Sequence, residues 1–270
     1  MSAAHRVRLG AVGYLNARPL VFGLDRVSRF AVRFDVPSRC AVLLHEGAID
    51  AGLIPSIEYL SGPAEGGPAA DYRIVPDVAI ASQGPVASVA LYAVRPIAEV
   101  RSIALDTSSR TSIALVRVLC ARSFGIAPSL ETCGPDLSAM LDRCDAALII
   151  GDNALLTREQ DGVQKIDLGE AWTALTGLPF VWAFWAGRAN ALDADDVRAL
   201  QEARDAGVAR AEEIARDYFS DPDDRALGAR YLRDNIKYEL GGAERAGLER
   251  FYRYAAEIGV VAGAGGLRLY

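Results

Sequence analysis

The sequence predicts an α/β fold in two lobes, and three observations predict it. Short apolar runs of strand character alternate with longer amphipathic segments, which argues for parallel strands covered by helices. The alternation occurs twice, in separate stretches. Two long apolar strands, Ser88 to Val94 (SVALYAV) and Phe180 to Ala186 (FVWAFWA), join these stretches, as expected of a chain that crosses between two lobes and returns.

The first stretch reads Val7 to Val12, Ala17 to Leu24, Ala31 to Val36, Cys40 to Ile49 and Ala51 to Ile54, a βαβαβ rhythm with right-handed crossovers. The second reads Ser102 to Leu105, a helix over Thr111 to Phe124, Ser129 to Thr132, a short helix over Leu137 to Arg143, and Ala146 to Ile150. Ala194 to Gly259 is mostly helical, with Val197, Leu200, Val208 and Ile214 near helical spacing, and is expected to pack on the first lobe. The predicted division is therefore 1–89 with 187–270 as one lobe and 90–186 as the other. Ser61 to Ala70 is a Pro/Gly-rich turn region, and the tail after Gly259 is weakly specified.

Composition removes several function classes. The 270 residues are 51% hydrophobic and 24% charged, which places the chain among globular proteins. A net charge of −6 argues against nucleic acid as the main partner, since that binding needs basic surface to release counterions. Cys40, Cys120, Cys133 and Cys144 form no CxxC pair, and His5 and His45 lie far from a metal-ligand spacing, so no metal site is expected. No apolar run approaches the roughly 20 residues that span a bilayer. With no signal-peptide pattern at the start, a cytoplasmic protein with reduced thiols is expected.

Ligands of open α/β sheets bind beyond the carboxyl ends of strands, so chemistry is sought there. The first strand runs into Gly13-Tyr-Leu-Asn16-Ala-Arg18, where Asn16 reads as a helix cap or a ligand contact. The third leads to Pro55-Ser56-Ile-Glu58, with Ser56 open to the same two readings. Asp106-Thr-Ser108-Ser109-Arg110-Thr111-Ser112 crowds hydroxyls and one guanidinium around a helix start, the makeup of a carboxylate or phosphate site. Ser88 precedes the first crossing strand, and Asp152 follows Ala146 to Ile150, where it can cap a helix or orient a substrate hydroxyl. Trp172, Phe180, Trp182, Phe184 and Trp185 are expected as core and cleft wall, and His45 as a packing residue. No GxSxG, Walker, HExxH or GxGxxG motif occurs. The inventory of hydroxyls, amides and arginine suits a small polycarboxylate, and leaves a binding protein and a cofactor-free lyase both open.

Six phrases in order, GYLNARPL (13–20), GLIPSIEY (52–59), GPVASVAL (84–91), DTSSRTSIAL (106–115), ALIIGDNAL (147–155) and TGLPFVWAFWAG (176–187), together resemble the chorismate dehydratase family, MqnA, of the futalosine route to menaquinone. The Ser-Pro-Cys-Pro-Asn-Asp start of the sister family that makes dihydroxynaphthoate is absent. The resemblance implies a two-lobed fold like type II periplasmic binding proteins, with the substrate cleft between lobes. It implies a lyase that removes water from chorismate without a cofactor. On that basis Asn16 is the expected catalytic residue. Ser56, Ser88, Ser108, Ser109, Thr111 and Asp152 are the expected substrate contacts, and Arg18 and Arg110 further candidates. The alternative is a non-catalytic binding protein for a small carboxylate.

Overall fold

The computed structural model describes residues 6–61, 72–158 and 160–270. The expected Pro/Gly-rich turn lies, from residue 62 to 70, outside the described residues. The first sheet takes β1 (Val7–Val12), β2 (Phe30–Asp35), β3 (Ala51–Pro55), β4 (Tyr72–Ile74) and β5 (Ile80–Ser82). The second takes β6 (Val89–Ala93), β7 (Ser102–Asp106), β8 (Ser129–Cys133), β9 (Ala146–Ile150) and β10 (Gln164–Asp167). The last strand, β11 (Phe180–Arg188), returns to the first sheet, between β3 and β4.

Both sheets are mixed, and the crossing strands make them so. In the first, β1 runs parallel to β2 and β3 while β11 pairs antiparallel with β3. In the second, β7 runs parallel to β8 and β9 while β6 pairs antiparallel with β9. Sheet membership differs from the predicted division at one point. The boundary expected after Ala186 falls before Phe180, because β11 pairs with β3, β4 and β5 along most of its length. A strand buried on both faces carries no alternation that assigns it to one sheet or the other.

Helices cover the sheets: α1 (Pro37–His45), α2 (Arg110–Leu119), α3 (Leu137–Leu141), α4 (Gly151–Leu156), α5 (Leu168–Thr176), α6 (Ala194–Val208), α7 (Ala211–Tyr218), α8 (Pro222–Arg230) and α9 (Gly242–Glu257). The helix expected over Thr111 to Phe124 ends its α-helical part at Leu119 and finishes in a π-helical turn closed by left-handed Gly125. The amphipathic segment after β1 is not an α-helix. Pro19 lacks an N–H and Gly23 has φ 75°, so the chain forms two 3-10 turns, Leu15–Val21 and Leu24–Arg26.

Helix α9 packs on the first sheet. Trp172, Phe180 and Phe251 stack edge to face, binding α5, β11 and α9 into one aromatic core. Buried Asp196 at the start of α6 takes two bonds from Arg29, which hold its carboxyl below the usual range. The tail is better specified than its glycines suggest: the Ile74 N–H donates to the Arg268 carbonyl at 2.8 Å, and the Tyr270 N–H to the Ile74 carbonyl at 3.1 Å.

One contact links this packing to the cleft. Gly207 of α6 lies against the 3-10 turn that carries Asn16, where a Cβ would stand 2.2 Å from the Pro19 carbonyl oxygen. Helix propensity alone favours Gly207→Ala by about 1 kcal/mol. Backbone cannot yield as a flexible side chain can, so the substitution is expected instead to cost about 1–3 kcal/mol. A lowered thermal midpoint checks it; an unchanged or raised midpoint would mean that α6 and the turn part freely.

Candidate functional site

The carboxyl ends of β1 and β3 in the first sheet face those of β7 and β9 in the second, and a cleft lies between. Asn16, Ser88, Ser109, Ser112, Tyr14 and Trp182 line it, with Val12, Pro55 and Gly151 as walls. No carboxylate, imidazole, amine or guanidinium stands among the described lining residues. The open space is about 50 Å³, well below the roughly 300 Å³ at the lower end of small-molecule sites. The sheets are therefore closed on each other and must part to admit a ligand.

Ser88, Ser109 and Tyr14 are each fixed in place by their neighbours. Ser109 is the N-cap of α2, its Oγ accepting from the Ser112 N–H at 3.4 Å and standing 3.1 Å from the Ser112 hydroxyl. The α2 N-terminus thus opens at the cleft with two hydroxyls beside it, favourable to an anion. Ser88 follows Ala87, whose φ of 64° is left-handed and strained for a residue with a side chain. Asp167 pins that bend, accepting from the Val86 N–H at 3.0 Å and the Ala87 N–H at 2.7 Å. The Tyr14 ring lies against Gly151, where φ is 65° and an added Cβ would stand 3.1 Å from the ring.

The other predicted residues sit elsewhere. Ser56 and Thr111, expected as substrate contacts, are fully buried in a polar seam joining the sheets beneath the cleft. The Ser56 hydroxyl donates to the Val181 carbonyl at 2.8 Å, and Thr111 Oγ1 accepts from the Ile57 N–H at 3.1 Å. Both hydroxyls are thereby committed to the protein. Ser108 turns back on Asp106, its hydroxyl and N–H both on Oδ1, at 2.6 and 2.9 Å. Arg110 braces the seam from outside: its guanidinium meets buried Glu58 at 2.8 Å.

Arg18 donates to the Gly13 carbonyl at 3.1 Å, with its guanidinium over the Phe34 and Tyr218 rings at 4.5 and 5.1 Å. It lines a separate apolar hollow of about 380 Å³ rather than the cleft. Asp152 crosses between the sheets, accepting from the Leu15 N–H at 3.1 Å and from the Tyr218 hydroxyl at 2.5 Å. Its burial pushes the carboxyl above its usual range, against the pull of those two bonds.

His45 is a satisfied packing residue, 3.0 Å from the Tyr72 hydroxyl and 3.4 Å from Glu58. Burial raises the Cys40 thiol to about 12 and that of Cys120 to about 11, so neither is a nucleophile near neutrality. No cluster of potential metal ligands occurs among the described residues, and no helix there is long and apolar enough to cross a membrane.

Sequence reasoning missed Tyr14, Ser112, Tyr218 and Tyr231. Tyr14 and Ser112 stand inside the quoted motifs, two and three residues from Asn16 and Ser109, where only side-chain direction separates lining residues from packing ones. The two C-terminal tyrosines had no local signal at all.

Two mixed α/β sheets, each holding its crossing strand antiparallel and together enclosing a polar cleft at their strand ends, define a protein of the periplasmic-binding-protein fold class. Solved structures agree. Protein AF1704 from Archaeoglobus fulgidus superposes with a TM-score of 0.77 at 16% identity, covering 96% of this chain and 99% of that one. A Candida albicans gene product with the generic periplasmic binding protein fold gives 0.62 at 12% identity, covering 97% and 92%. The sequence narrows the class to a family: the model described as menaquinone biosynthesis matches residues 7–257, and the chain belongs to that family. A chorismate dehydratase from Thermus thermophilus is 31% identical over 265 residues, covering 90% of this chain and 93% of the relative.

Proposed function

We propose that this protein is a chorismate dehydratase of menaquinone biosynthesis, converting chorismate to 3-(1-carboxyvinyloxy)benzoate and water without a cofactor. The similarity to the Thermus enzyme over nearly the whole length of both chains supports the substrate. The observation that carries the mechanism is the cleft lining, which offers amide, hydroxyl and helix N–H groups but no side-chain base among the described residues.

The ring loses its C3 hydrogen and its C4 hydroxyl. The electron pair of the C3–H bond becomes part of the aromatic sextet as the C4–O bond breaks, and aromatisation favours the step. The ring carboxylate is conjugated to C3 through the diene, so charge released on deprotonation spreads to it. Helix N–H groups and the hydroxyls of Ser109 and Ser112 at the start of α2 are suited to hold that charge. With no base among the described lining residues, the substrate's own enolpyruvyl carboxylate takes the C3 proton and passes it to the departing C4 hydroxyl, which leaves as water. Asn16 and Ser88 hold that carboxylate and the departing hydroxyl in register. Ser56, Thr111 and Arg110 keep the two sheets joined, and Asp152 latches them when closed.

Incubating purified protein with chorismate, with metal and nucleotide left out, tests the reading by chromatography and mass spectrometry. Loss of water to the enolpyruvyl benzoate, above a protein-free control, is the expected result. Saturable binding of chorismate with no product would replace the enzyme by a binding protein, and neither binding nor product would overturn the substrate.

A further inference from the structure

One of the cleft residues, Ser88, has a buried partner from a distant part of the chain. After α8 the chain makes a π-helical turn, Tyr231–Asn235, of a kind often found at functional sites. The Tyr231 hydroxyl, reaching across 143 residues of sequence, donates to Ser88 Oγ at 2.7 Å. At the other end of the turn, Asn235 Nδ2 donates to the Pro85 carbonyl at 2.9 Å. The π-turn therefore grips the strained Pro85–Ser88 bend at both ends.

Counting donors and acceptors fixes what each group has left. A phenol has one hydrogen, and Tyr231 gives it to Ser88. Ser88, having accepted, keeps its own hydrogen for another acceptor, and the cleft it lines is where one can enter.

We propose that Tyr231 is a positioning residue for the reaction, its hydroxyl setting Ser88 as a donor toward the substrate. The inference rests on the chorismate reading of the site. In chemical terms, Ser88 would donate to a substrate carboxylate or to the leaving oxygen. Without the phenol, the serine is free to turn its hydrogen inward, and the substrate would still bind among the remaining groups.

The test is Tyr231→Phe, which keeps the ring and removes the hydroxyl. It is expected to lower kcat about 10- to 100-fold, the scale of losing reactive alignment, while KM stays within about threefold. In a Ser88→Ala background the same change is expected to cost less than about threefold more, because the group it acts through is gone. Tyr238→Phe removes another buried hydroxyl, one with no partner among the described residues, and is expected to leave kcat unchanged. An active parent whose Tyr231→Phe variant keeps kcat within about twofold, or loses KM alone, would overturn the positioning role while leaving the chorismate reading intact. Full multiplication of the losses in the Ser88→Ala background would do the same. A parent that makes no product refutes both. If Tyr231→Phe does not fold, Asn235→Ala, which frees the other end of the π-turn from the Pro85–Ser88 bend, takes its place: a lowered kcat with KM kept is expected, and an unchanged kcat would overturn the role.

Discussion

Asn16→Ala is expected to lower kcat for chorismate about 100- to 1,000-fold, the scale of removing one preorganised polar group at a reacting centre, with KM changed by less than about threefold. The turn that carries Asn16 is held by other residues. Leu15 and Leu20 on either side are buried, and the Leu15 N–H is tied to Asp152. The cap position of the turn belongs to Tyr14 and not to Asn16, which lies inside the turn. Loss of the amide should therefore leave the fold and most substrate contacts in place while removing what aligns the proton acceptor with C3. Steady-state kinetics with a matched thermal midpoint decides the matter. Turnover near that of the parent would take Asn16 out of the mechanism, and a large rise in KM with normal kcat would make it a binding residue only. Asn16→Asp should lose binding as well, because a protein carboxylate would face a dianionic substrate in a cleft with no cation among its described lining residues.

Much of this architecture is legible in the sequence because strand ends are legible. β1, β3, β7 and β9 are short apolar runs, and Asn16, Ser109 and Asp152 follow three of them within a few residues. Direction is what the sequence withholds. Thr111 and Ser112 are neighbours at the start of α2, both small and hydroxyl-bearing, yet the roughly 100° between successive helical residues sends one into the seam and the other into the cleft. Ser56 shares the fate of Thr111 because the two meet, 3.4 Å apart, on the faces by which the sheets touch. Tyr218 and Tyr231 were hidden for a different reason. Each makes its polar contact with a residue 66 or more positions away, from helices whose local pattern reports only an apolar face. β11 was placed in the wrong sheet because eight of its nine residues are buried, leaving no period to read.

Asp152 carries the second large effect, and the sign depends on what replaces it. Its carboxylate spans the cleft mouth, from α4 of the second sheet to Leu15 and Tyr218 on the first. Charge-assisted hydrogen bonds contribute about 1.5–3 kcal/mol. Asp152→Ala should therefore weaken the closed form and lower kcat/KM about 10- to 100-fold, chiefly through KM. Asp152→Asn should behave differently. Burial raises the carboxyl's pKa above its ordinary value, so the closed form binds a proton more readily than an open form in which Asp152 is solvated. Closure is thus disfavoured at neutral pH and gains as pH falls through the raised pKa towards the ordinary one. A neutral amide removes that penalty and can keep the geometry. Its oxygen accepts from the Leu15 N–H, its NH2 donates to the Tyr218 oxygen, and the Tyr218 hydroxyl turns to the Gly13 carbonyl, already 3.0 Å away. Asp152→Asn is accordingly expected to keep KM at or below that of the parent at neutral pH, and to lose the parent's strengthening of chorismate binding on mild acidification. Titration of KM against pH in the three proteins reads this directly. An Asn variant as impaired as the Ala variant would mean that the latch needs the charge itself, and equal KM in all three would mean that closure does not depend on Asp152.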